Sequence, residues 1–87
     1  SLVEPSDGAM VVYAVDGVEP TADPDLTTAT LSGPGIDGTT ELSVTLPATE
    51  LTAIADAQSE YPRGVDAVFA AADRLAAVPR SASMEVA

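Results

Sequence analysis

Three arginines, Arg63, Arg74 and Arg80, are the only cations in a chain of 87 residues that carries fourteen acids. All three fall in one stretch, which opens Tyr61-Pro62-Arg63-Gly64-Val65-Asp66 and closes Ala77-Val78-Pro79-Arg80-Ser81. An arginine presents a planar fork of donors that matches carboxylate, phosphate or phosphonate oxygens two at a time. Arg80, beside the φ-restricted Pro79, is the candidate for such a clamp. The favoured alternative is structural: the same side chain bridging to Asp66 or to backbone carbonyls. Asp66 in turn reads as a corner anchor rather than a base.

A second candidate is Gly33-Pro34-Gly35-Ile36. Two glycines about a proline allow a tight turn and a close backbone approach, either to a phosphate or to another strand. No Gly-Lys-Ser/Thr or full Gly-x-Gly-x-x-Gly follows, so a plain turn is the preferred reading of Gly33 and Gly35. The acids Asp16, Glu19, Asp23 and Asp25 cluster around Gly17, Pro20 and Pro24, but without the Asp-x-Asp-x-Asp-Gly spacing of a calcium loop. They read as a solvated connection, and no metal site is assigned. The chain has no histidine, cysteine or lysine. That removes disulfides, thiolate ligands, the commonest general base and any Schiff-base lysine, and most hydrolase chemistry with them. No catalytic residue is assigned.

The elements that would position these residues must come from a small domain. A chain of this size buries only about 60 to 65% of the surface its unfolded form exposes. With 46% apolar residues it is globular in composition, yet Tyr13, Tyr61 and Phe69 are its only aromatics, so the core is expected to be thin and built from Ala, Val and Leu. The net charge is −11, with eleven acids and no base in residues 1–60. No basic face exists to release counterions from a phosphate backbone, so nucleic acid is excluded as a partner. No apolar run approaches the ~20 residues needed to span a bilayer. A soluble, cytoplasmic protein is expected.

Along the chain, residues 1–8 read as a loop on Pro5 and Asp7-Gly8. Residues 9–15, Ala-Met-Val-Val-Tyr-Ala-Val, are a continuous apolar run, the signature of a strand covered on both faces. One 87-residue domain can hardly cover it twice, which predicts a fragment of a longer protein. Residues 16–25 are expected as loop. Residues 27–32 alternate Thr28, Thr30 and Ser32 with Ala29 and Leu31, a strand with one polar face. Leu42, Val44 and Leu46 alternate with Ser43 and Thr45, a half-buried strand ended by Pro47. Thr49 is the expected cap of a short helix reaching about Ala57, with Glu50 in its first turn and Leu51, Ile54, Ala55 and Gln58 along one stripe. Ser83-Met84-Glu85-Val86 is a final strand.

Residues 65–78 admit two readings. Val65, Val68, Phe69, Ala72, Leu75 and Ala76 fall at helical spacing, and the alanines favour a helix. Against that, Val-Asp-Ala-Val-Phe suits a strand, Asp73-Arg74 suits a turn, and residues 75–78 could return as a second strand.

Taken together, Thr30-Leu31-Ser32-Gly33-Pro34-Gly35-Ile36, Leu46-Pro47, Tyr61-Pro62-Arg63-Gly64-Val65-Asp66 and Leu75-Ala76-Ala77-Val78-Pro79-Arg80-Ser81, with the Met84-Glu85-Val86 ending, resemble the PhnH family. That is the H subunit of the bacterial carbon-phosphorus lyase core complex. Arg63 stands where the family usually has Leu, and Ser81-Ala82 replaces the usual Thr-Thr, so neither Arg63 nor a hydroxyl after Arg80 is carried over as a shared functional residue. The resemblance covers the chain from about Pro5 onward but only the C-terminal half of a family member. It implies an α/β fold: a mixed, largely antiparallel sheet with a flanking helix, part of a sandwich like that of pyridoxal-phosphate-dependent transferases without the cofactor. It also implies strand, turn, strand for residues 65–78. In function it implies a non-catalytic, homodimeric subunit working with the G, I, J and L subunits in forming ribose 1-methylphosphonate 5-triphosphate from ATP and methylphosphonate. A contributor to a phosphate or phosphonate pocket and a stand-alone acidic interaction module are the alternatives.

Overall fold

The computed structural model describes residues 10–58 and 66–87. The Tyr61-Pro62-Arg63-Gly64-Val65 corner and the loop expected over residues 1–8 lie outside the described residues. The elements run β1 (Met10–Ala14), β2 (Val18–Glu19), β3 (Thr27–Ser32), β4 (Thr40–Val44), α1 (Ala48–Gln58), β5 (Asp66–Ala70), β6 (Leu75–Val78) and β7 (Ser83–Val86). The architecture is mixed α/β and mostly antiparallel, but the strands form two sheets rather than one, ordered β1-β5-β6 and β2-β4-β3-β7. The single parallel pair is β1 with β5. The chain leaves the first sheet at the end of β6 and enters the second at β7, so residues 79–82 join the two. The helix α1 lies against β7 and β5.

Within the stretch that admitted two readings, the described residues 66–78 form two strands, β5 and β6. In β5 Ala67 and Phe69 are buried while Asp66, Val68 and Ala70 are half-buried, a period of two. The Ala71 N–H donates to the Arg74 carbonyl at 2.9 Å and closes the hairpin into β6. Helix propensity is worth only a few tenths of a kcal/mol per residue. Pairing β5 between β1 and β6 satisfies both edges of its backbone and puts Ala67, Phe69 and Val78 into one core, and that outweighs the helical stripe.

The core lies between the sheets and under the helix. Phe69, Ala67 and Val78 come from the first sheet, Ala29, Leu31, Leu42, Val44 and Met84 from the second, and Leu51 and Ala55 from α1. Phe69 is fully buried and stacks on Tyr13 with ring centroids 5.7 Å apart. As the largest side chain in an Ala/Val/Leu core, it is the one whose truncation costs most, about 3 to 5 kcal/mol.

Several sequence expectations are corrected. The apolar run expected to be covered on both faces is an edge strand, and Met10 and Val12 are 60% and 59% exposed. Tyr13 packs inward against Phe69, while Met10 and Val12 stay largely uncovered by the described residues. The acidic loop contains the two-residue strand β2, paired with β4. The third strand ends at Val44 rather than reaching Leu46, with Thr45 N–H still donating to the Gly17 carbonyl at 3.1 Å in the β2–β4 register. Ser43, expected on an open polar face, is fully buried: its hydroxyl donates to the Thr21 carbonyl and pairs with Thr28 Oγ1 at 2.8 Å, beneath residues 20–26. Thr49 does not cap the helix. Leu51 N–H donates to the Pro47 carbonyl at 3.0 Å, which places Pro47 at the cap and Thr49 inside the first turn.

Candidate functional site

The residues singled out for chemistry converge on the crossover of residues 79–82. Ala82 N–H donates to the Pro79 carbonyl at 3.0 Å and folds the segment into a turn. The turn is held from three sides. From the start of β5, Asp66 Oδ1 accepts the Arg80 backbone N–H at 2.9 Å and stands 3.5 Å from Arg80 Nε. One carboxylate thus satisfies the backbone of Arg80 and faces its guanidinium. The two side chains are 26% and 36% exposed, so the ionic part is a surface pair worth about 0.2 to 1 kcal/mol, while the backbone bond fixes the turn.

From the last turn of α1, Gln58 reaches in with none of its surface exposed. Its Nε2 donates to the carbonyls of Pro79 and Ala82, the latter at 3.1 Å. Both partners are acceptors, which settles which end of the amide points there. Its Oε1 is buried without a hydrogen-bond partner. Gln58 was visible in the sequence as the last position of the helix stripe, but its role was not. A polar side chain at a core position of an otherwise apolar stripe was the available signal, since such a group is buried only when it is hydrogen-bonded.

From the β3–β4 connection, Gly33 backs onto the same turn. A Cβ at Gly33 would lie 2.9 Å from the Ser81 carbonyl oxygen and 3.1 Å from Ala82 Cα, and its φ is +137°. The close approach that two glycines permit is therefore an approach to backbone. Gly35 has a different reason: with φ +84° and open space beside it, it serves the turn itself. Ile36 N–H donates to the Gly33 carbonyl at 3.0 Å, with Pro34 and Gly35 as the central pair of a type II turn.

Arg74 is elsewhere. From the β5–β6 hairpin its Nη1 meets Glu19 Oε1 of β2 at 2.8 Å, an exposed tie between the sheets. In the acidic loop Asp25 N–H donates to Asp23 Oδ1 at 2.9 Å, a turn closed by its own side chain. Among the described residues no three acids are placed to hold a metal ion, and no helix is long and apolar enough to cross a membrane. A groove of about 450 Å³ runs between Val12, Tyr13 and Ala14 of β1 and Glu50, Ala53 and Ile54 of α1.

This arrangement is a positioned turn between the two sheets. It presents one arginine, charge-compensated and part-exposed, on a crossover clamped by Asp66, Gln58 and Gly33. Comparison with curated proteins finds no match. Comparison with protein families finds the bacterial phosphonate metabolism protein PhnH, matched over residues 1–85. That span takes in Gly33, Gln58, Asp66 and the whole of the crossover that they hold. The chain belongs to the PhnH family, and so to bacterial phosphonate metabolism.

Proposed function

We propose that the chain is a non-catalytic subunit of the carbon-phosphorus lyase core complex, supporting formation of ribose 1-methylphosphonate 5-triphosphate from ATP and methylphosphonate. The family match over residues 1–85 carries this reading. The non-catalytic part draws support from composition, since the chain has no histidine, cysteine or lysine to serve as base or nucleophile. It is also consistent with a site in which Asp66 is engaged twice by Arg80. The G, I, J and L subunits are the proposed partners, in a cytoplasmic assembly that contains this subunit as a homodimer.

In the same reading the chain is the C-terminal portion of a longer domain with a sandwich like that of pyridoxal-phosphate-dependent transferases, lacking the cofactor. Support comes from the outward row of the first sheet. Met10, Val12 and Leu75 are 60%, 59% and 69% exposed, and register places Val12 beside Val68 and Leu75 beside Ala70. A continuous apolar row of this kind is covered in a complete domain.

Arg80 favours a second reading, a contributor to a phosphate or phosphonate pocket, because its side chain is partly exposed on a held turn. One experiment separates the two. The full-length protein is co-expressed with the G, I, J and L subunits, as the unsubstituted form and as Arg80→Ala. Co-purification with unchanged complex activity in the variant supports the scaffolding role. Intact assembly with lost activity or nucleotide retention supports the pocket, and failure to co-purify in either form refutes membership.

A further inference from the structure

The edge of β1 away from β5 has no strand beside it among the described residues. Val15 N–H donates to the Ala70 carbonyl at 3.0 Å, so by the alternation of a strand Val11 and Tyr13 also turn their backbone groups to β5. Met10, Val12 and Ala14 then present N–H and C=O outward. This edge forms one wall of the groove of about 450 Å³, and α1 forms the other. A strand edge beside a helix, with an apolar trough between, is the geometry in which an added strand gains ladder bonds and side-chain burial together. Among the residues lining the trough, Glu50 alone is charged.

We infer that this groove docks one extended strand of another polypeptide, apolar on the face it turns to the trough and carrying a lysine or arginine beside Glu50. Charge selects this occupant over a second copy of the chain. A second β1, Met10–Ala14, carries no base to set beside Glu50. Among the described residues the chain's own arginines, Arg74 and Arg80, are already paired with Glu19 and Asp66. The homodimer proposed above would use a different surface.

The test adds to the 87-residue chain a synthetic strand peptide of about ten residues, alternating Val and Thr with one Lys, and follows amide exchange by NMR. The expected result is new protection at Met10, Val12 and Ala14, with Val11 and Tyr13 unchanged. Replacing the peptide Lys by Glu, or making Glu50→Gln in the chain, is expected to weaken binding by about twofold to fivefold, the scale of one exposed ion pair. Absence of protection overturns the inference, and so does binding indifferent to the peptide charge. Protection in the free chain accompanied by dimerisation gives the edge to a second copy. Protection in the full-length parent without any partner gives it to the parent's own chain. Either of these also overturns the inference.

Discussion

Gln58→Glu is the sharpest test of how the crossover is held. It changes one atom's identity in a side chain with no exposed surface, replacing the Nε2 donor with an oxygen that faces the carbonyls of Pro79 and Ala82. Three acceptors cannot share that space, so the carboxyl must take up a proton or the turn must open. Holding a glutamate neutral at pH 7, against an ordinary pKa of about 4.3, costs about 3.7 kcal/mol. A protonated carboxyl restores only one of the two donated bonds, adding about 1 kcal/mol. The expected loss at pH 7 is therefore about 4 to 5 kcal/mol, much of the about 4 to 13 kcal/mol available to a domain of this length. Each kcal/mol lowers Tm by about 4 to 8 °C in domains of this size, so the variant should melt roughly 15 to 40 °C lower. The sign with pH is fixed. The folded carboxyl has a raised pKa, so the deficit against the unsubstituted chain should shrink as pH falls toward about 4.3 and grow as pH rises through the folded value. Gln58→Leu is the control: it removes the orphaned Oε1 along with the two bonds, and the opposing terms leave a loss of about 1 to 2 kcal/mol. Circular dichroism melts of the three proteins, at neutral pH and in mild acid, supply the comparison. If Gln58→Glu melts within a few degrees of the unsubstituted chain at pH 7, or its deficit does not shrink in acid, Gln58 does not hold the turn.

Asp66→Asn keeps an oxygen for the Arg80 N–H and should cost about 0.5 to 1 kcal/mol in urea denaturation, whereas Asp66→Ala orphans that donor and should cost about 1 to 3 kcal/mol. Gly33→Ala combines a forbidden φ with a 2.9 Å clash against Ser81 and should lower stability by about 3 kcal/mol or more. Gly35→Ala meets no atom and should cost about 1 to 2 kcal/mol, so equal melting temperatures for the two glycine variants would refute the packing argument. Arg74→Ala removes an exposed tie to Glu19 and should change stability by less than about 1 kcal/mol, an effect that vanishes in high salt.

How much of this was legible in the sequence depended on whether the signal was local. The alternation of Thr28, Thr30 and Ser32 with Ala29 and Leu31 marked β3 to its ends, because one face of that strand meets the core and the other does not. Gly33-Pro34-Gly35 marked a tight turn, which the structure closes as type II, because its demand on φ is met within four residues. Residues 65–78 were different. Their spacing favours a helix, whereas in the structure β5 pairs with β1, more than fifty residues away, and β6 pairs with β5, so the family resemblance resolved what local pattern could not. The burial of Ser43 was invisible because it depends on where residues 20–26 fold over β4. The apolar run at β1 was legible as a strand. Its exposure followed from size, because a single 87-residue domain can hardly cover both faces of such a run, and Met10 and Val12 are left largely exposed.

The candidate site follows one rule of accounting. A crossover between two sheets has no ladder partner, so its backbone groups must be satisfied by whatever side chains reach it. Here the Pro79 carbonyl is met by Ala82 N–H and Gln58, the Ala82 carbonyl by Gln58, and the Arg80 N–H by Asp66. Asp66 is at the turn because its carboxylate satisfies the Arg80 backbone N–H, and Gly33 because only a residue without a Cβ can approach Ser81 and Ala82 so closely. Arg80 meets Asp66 in two ways, through its backbone N–H at 2.9 Å and through its side-chain Nε at 3.5 Å. An anion arriving at its guanidinium competes with the 3.5 Å ion pair to Asp66, while the 2.9 Å backbone bond to the same carboxylate keeps the turn in place. Asp66 could thus give up the weaker of its two roles and keep the stronger, and a ligand-binding role for Arg80 is compatible with a structural role for Asp66.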